Sequence, residues 1–115
     1  MILGTWGFLT NQAHVLIQIA RNPRSTVREI AVATGITERA VISVLHDLRH
    51  AGIVCTQRDG RQNINQLNIK ALKKHRPWGA SSMEIPEELI EGAIVGLSAL
   101  AVPGALCEER RSKAG

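Results

Sequence analysis

Apolar and polar positions alternate with a helical period over much of this chain, and the breaks between periodic stretches are sharply marked. Residues 10–22, TNQAHVLIQIARN, place Ala13, Leu16, Ile17 and Ala20 on one face and Val15 and Ile19 on a second strip. That pattern predicts a helix buried on more than one side, capped by Thr10 or Asn11 and ended by Asn22-Pro23. Thr26 and Glu29 have the spacing of a capping box, so a short helix is expected over 27–34. Gly35 closes it, because glycine readily takes the left-handed conformation of a tight helix exit.

The next helix is capped by Thr37, with Ile36 and Val41 at the spacing of a hydrophobic staple. At roughly 100° per residue, Ala40, Val41, Val44, Leu45 and Leu48 fall on one arc. Glu38, Arg39, Ile42, Ser43, His46, Arg49 and His50 lie opposite, and Gly52 ends the helix. Residues 53–58 and 61–67 are expected to be strands joined at Asp59-Gly60, a strong hairpin signal. A two-residue turn there pairs Val54 with Asn65 and Cys55 with Ile64, and a longer loop shifts that register. KALKKHRPWGASSM reads as basic and then loop-like. Pro86 opens a last helix over about 86–101, with Glu87 and Glu88 at the positive end of its dipole. Its apolar residues Leu89, Ile90, Ala93, Ile94, Leu97, Leu100 and Ala101 cover most of its surface. Pro103-Gly104 ends it, and EERRSKAG reads as a disordered tail.

With 115 residues, one domain with an appendage is expected, large enough for a core without disulfides or metal. Aromatics are confined to Trp6, Phe8 and Trp78, so that core is aliphatic. Cys55 and Cys107 are too far apart in sequence for paired metal-ligand spacing, and they fit reduced thiols in a cytoplasmic protein. No leader pattern or membrane-length apolar run is present.

Charge changes the picture more. Residues 1–76 carry eleven lysines and arginines against four carboxylates, a balance of +7, and residues 77–115 carry three against six, a balance of −3. The chain therefore divides into a basic working part (1–76) and an accessory part (77–115) holding a linker, the last helix and the tail.

Ala31, Gly35 and Val41 have the spacing of a helix-turn-helix: a small residue where two helices approach, a glycine for the turn, and a valine packing the second helix on the first. The second helix of such a motif enters the DNA major groove. The fold class is thus mainly α with a small β-hairpin: a three-helix core plus wing, with an additional C-terminal helix.

The stretches GITERAV, DLRHAG and RDGRQN, within residues 8–69, resemble a bacterial or archaeal winged helix-turn-helix regulator of the MarR-like kind. The resemblance implies a homodimer that binds double-stranded DNA, with terminal helices forming the interface. It implies that Thr37, Glu38, Arg39, Ile42, Ser43 and His46 face the groove, with Arg39 on guanine and Ile42 on a thymine methyl. Thr26 and Arg28 would hold phosphates, and Arg58, Arg61, Gln62 and Asn63 would form the wing tip. Trp6, Phe8, Leu89, Ile90, Ala93, Ile94, Leu97 and Leu100 are the expected dimer contacts, although the last helix folding back on its own domain is an open alternative. Gly92 and Gly96, four apart, would let two helices approach. An aliphatic cleft in such a dimer is where a small apolar effector would sit, and no residue names one.

His46 and His50 are four apart, but no third ligand accompanies them, so no metal or cofactor is expected. No nucleophile–base pair or phosphate loop suggests an enzyme. The rival reading is a winged-helix protein-interaction module that binds DNA weakly or not at all. The polar Asn65, where an inward aromatic is usual in such wings, and the exposed Ile42 favour that rival.

Overall fold

The computed structural model describes residues 9–74 and 85–107. The expectations for Trp6, Phe8, the 75–84 part of the linker and the 108–115 tail lie outside the described residues. The elements run α1 Asn11–Arg21, α2 Val27–Thr34, α3 Glu38–His50, β1 Val54–Asp59, β2 Gln62–Leu67, α4 Ile69–Lys74 and α5 Glu87–Leu100.

The first three helices begin and end where local chemistry requires. Thr10 Oγ1 accepts from the Ala13 N–H at 3.2 Å, which selects Thr10 over Asn11 as the cap of α1. At α2 the capping box is complete: Thr26 Oγ1 accepts from Glu29 N–H, and Glu29 Oε1 accepts from Thr26 N–H. Gly35 leaves α2 at φ +80°. Thr37 Oγ1 then caps α3 by accepting from Ala40 N–H at 3.0 Å. The far end of α3 is a full Schellman exit, with Ile53 N–H donating to Leu48 O and Gly52 N–H to Arg49 O. Leu48 and Ile53, the apolar pair that accompanies this motif, are both buried.

The three helices share one aliphatic core. Val15, Ile19, Ile30, Val41 and Leu45 are almost wholly excluded from solvent, and Ala31 is the buried small residue of α2. The spacing argument for Ala31, Gly35 and Val41 therefore holds in three dimensions.

The hairpin departs from its expected register. Val54 pairs with Leu67 and Cys55 with Gln66, and the last pair is Asp59 with Gln62. The two turn residues are Gly60, at φ +64°, and Arg61, one step later than Asp59-Gly60. The slip is two residues, so every side chain keeps its face. Packing selects this register, because it opposes the buried Val54 and Leu67 at the base of the wing.

Two further differences lie C-terminal to the wing. Residues 69–74 form a short helix in the basic stretch, to which the sequence pattern assigned no element; Asn68 Oδ1 accepts from Ala71 N–H, and Leu72 is buried. Pro86 stands one residue before α5 rather than in its first turn. Helix α5 folds back on the same domain. Ile94 is buried in the common core, with Ile90, Leu97 and Ala101 packed against it. Lys73 of α4 pairs with Glu91 of α5 at 3.2 Å. Beyond α5, Val102 N–H donates to Ala20 O. Ala105 O and Cys107 N–H then bond to the backbone of Leu67, adding a short parallel bridge at the outer edge of β2. The bridge pairs the end of β2 at Leu67.

Candidate nucleic-acid interface

Helix α3 has two chemically distinct sides. Val41, Val44, Leu45 and Leu48 are buried against α1 and α2, whereas Arg39, Ile42, Ser43 and His46 all point to solvent. Ile42 is 57% exposed, a high value for an isoleucine on a helix that buries its other branched residues. Arg39 makes no hydrogen bond or ion pair among the described residues. Its guanidinium is therefore available to an outside acceptor. His46 and His50 stack with ring centroids 6.1 Å apart, both exposed. Among the described residues no group of three His, Cys, Asp or Glu side chains is placed to hold a metal ion.

The two helix starts named from the sequence are exposed, but their hydroxyls already accept a bond. Thr26 and Thr37 each accept a backbone N–H as caps. What either still offers an outside acceptor is its hydroxyl hydrogen. Arg28, in the first turn of α2, is exposed and unbonded among the described residues.

The wing tip holds Arg58, Arg61, Gln62 and Asn63, all exposed. By strand alternation Arg58 and Asn63 share the face of Thr56 and Asn65, the face turned toward α3. Arg58 Nε donates to Gly60 O at 3.1 Å, bracing the turn. Gln62 is engaged, since its Oε1 accepts from Arg24. Arg61 lies in the turn itself and makes no such bond among the described residues.

Sequence reasoning missed two contributors. Asn65 is buried, at 4% exposed, yet it is well partnered. Arg49 Nε donates to Thr56 Oγ1 at 2.7 Å, and Thr56 Oγ1 donates to Asn65 Oδ1 at 2.6 Å. This relay ties the end of α3 to both wing strands. The main chain of Asn65 donates to Pro23 O at 3.0 Å, fixing β2 to the α1–α2 turn. The second omission is Arg24, which bonds Asp59 and Gln62. No linear signal marks either contact, because the partners are 35 and 38 residues away. Replacing Thr56 with valine strands the buried Asn65 carbonyl, at an expected cost of about 1–3 kcal/mol. Chemical denaturation measures it; an unmoved midpoint would mean the amide has found another partner.

The matching family model is that of the MarR family, over residues 6–62. This domain belongs to the MarR family. The match spans α1, α2, α3 and the hairpin as far as Gln62, so the MarR assignment rests on the segments that build the outward face of α3. MarR proteins are a family of winged-helix DNA-binding transcriptional regulators, and this MarR domain is a winged-helix regulator domain of that kind. No curated protein and no solved structure is significantly similar to the chain. No helix among the described residues is long and apolar enough to cross a membrane.

Proposed function

We propose that this protein is a homodimeric regulator that recognises a specific double-stranded DNA sequence. Helix α3 enters the major groove, and the β1–β2 wing lies on the minor groove or backbone. The observation that carries this reading is the exposed Arg39–Ile42–Ser43–His46 face of α3, backed by a buried aliphatic face on the same helix. Arg39 has the planar fork that fits the O6 and N7 atoms of guanine, and Ile42 offers apolar contact to a thymine methyl. Arg28, Arg58 and Arg61 supply the cations for phosphates.

Two copies are proposed to meet through α5. Its Ile90, Ile94 and Leu97 side packs within the chain, which leaves Leu89, Val95 and Leu100 exposed on other faces. Gly92 and Gly96 are exposed, and a Cβ added at either would meet nothing within 4 Å. This surface supports close approach by a second helix. The dimer contacts named from sequence therefore divide. Leu89 and Leu100 remain available, while Ile94 is used by the chain's own core.

Fluorescence anisotropy with a random duplex tests the DNA reading. Binding should weaken steeply with salt, because each phosphate contact releases condensed counterions. Absent binding at low salt, with a co-purifying protein in its place, sinks the proposal in favour of the interaction-module reading. Selection from a random pool should yield a palindrome with half-sites about one helical turn apart, and light scattering should give twice the protomer mass. Ile42→Gln should leave unfolding within about 0.5 kcal/mol of wild type and change which base pairs are selected. Unchanged selection would remove Ile42 from the recognition surface.

A further inference from the structure

We propose that Arg24 is a positioning residue that sets the wing against the start of α2, so that wing and α3 engage one duplex together. This rests on the DNA-binding reading above. One guanidinium spans both strands at the turn end of the hairpin: Nη2 lies 2.9 Å from Asp59 Oδ2, and Nη1 donates to Gln62 Oε1 at 2.8 Å. Asp59 and Gln62 are the last cross-strand pair before the Gly60–Arg61 turn. Arg24 thus holds the two residues that decide where Arg61 stands.

The turn that carries Arg24 is itself fixed. Ser25 is buried; its N–H and Oγ both donate to Asn22 O, and Gln18 Nε2 donates to Ser25 Oγ. Arg24 N–H donates to Asn22 Oδ1 at 3.1 Å. Pro23 O accepts from Asn65 N–H, so this turn meets β2 at a main-chain point and a side-chain point. Thr26, two residues beyond Arg24, caps α2, whose first turn also carries Arg28. A short rigid connection therefore links the wing tip to the proposed phosphate contacts of α2.

The ion pair is about half exposed on each side, and pairs of that kind add little to folding stability. Its effect is on geometry. Lysine is no substitute, because an ammonium has no planar fork to reach two acceptors at fixed angles.

The sign of one substitution discriminates. Asp59 is a carboxylate between Arg58 and the turn residue Arg61, on a surface proposed to meet phosphates. If its charge alone mattered, Asp59→Ala would tighten DNA binding. The clamp requires the opposite: weaker binding by about fivefold, with the unfolding midpoint close to wild type. Arg24→Ala should weaken binding similarly, Arg24→Lys should not restore it, and the Arg24→Ala/Asp59→Ala double variant should be no weaker than the worse single. Without DNA, trypsin should cut after Arg58 and Arg61 faster in Arg24→Ala, a change that leaves both cleavage sequences intact. Tighter binding by Asp59→Ala, strictly additive losses, or unchanged wing cleavage each overturn the clamp. The two failures separate: a wild-type chain that binds no duplex sinks the DNA reading, whereas unchanged wing cleavage sinks the clamp with DNA binding intact.

Discussion

Leu45→Ala is expected to destabilise the domain by about 2–5 kcal/mol, the range for deleting a buried leucine side chain and leaving part of its cavity. Leu45 is 1% exposed and sits in the middle of α3, on its buried side. Among the described residues, the core around it is made of aliphatic side chains. Domains of this size have only about 5–15 kcal/mol of net stability, so the variant would stand near its unfolding threshold. Urea denaturation followed by circular dichroism reads the effect as a lower midpoint with an unchanged slope. A midpoint within error of wild type would mean that α3 is not held by this face. DNA binding should fall together with the folded fraction and recover when folding is restored by lower temperature or lower denaturant.

The second large effect should leave folding untouched. Arg39→Ala should cost about 1–3 kcal/mol of binding to the preferred duplex, the worth of a bidentate arginine–guanine contact. Binding to random duplex should change far less, because the contact proposed for Arg39 is to a base edge and not to a phosphate. Arg39 is exposed and bonded to no described residue, so its removal strands nothing inside the protein. Arg61→Ala is the control. It should weaken preferred and random duplexes about equally and lower the salt slope by about one. Equal loss on both duplexes for Arg39→Ala would reassign that residue to the backbone.

The two variants also separate what each side of α3 does. An amphipathic helix in a small domain has its inner residues dictated by packing, and the outer residues are free to vary with the ligand. That is why Val41, Val44, Leu45 and Leu48 were legible as core from periodicity alone, and why Arg39, Ile42, Ser43 and His46 were legible as a surface. Their exposure does not depend on any distant partner. Ile42 stood out for the same reason, being an apolar side chain at a position where helical spacing predicts solvent.

The wing was less legible. Asp59-Gly60 marked the hairpin, but a dipeptide cannot say which of its residues begins the turn. The burial of Leu67 opposite Val54 decides it, and that depends on α3 lying beneath the sheet. Asn65 looked like a defect in a strand that wanted an aromatic. It is a partnered polar residue because Thr56, nine positions earlier, lies directly across from it. Likewise Arg24 is one basic residue among eleven in the first 76 positions; only the approach of the α1–α2 turn to the wing singles it out.

From sequence alone followed most of what has its partners within about one helical turn: the caps at Thr26 and Thr37, a cap at Thr10 or Asn11, the glycine exits at Gly35 and Gly52, the two sides of α3, and hence the helix-turn-helix itself. Such contacts are dictated by residue spacing, because a hydroxyl three residues from an N–H in a helix start can hardly avoid it. Tertiary structure alone decided the register of the wing, the Arg49–Thr56–Asn65 relay, the Arg24 clamp, and the return of α5 onto its own domain through Ile94. Those depend on which surfaces meet. A seven-residue apolar helix pattern states that a surface must be covered, but what covers it is settled only when the whole chain has folded.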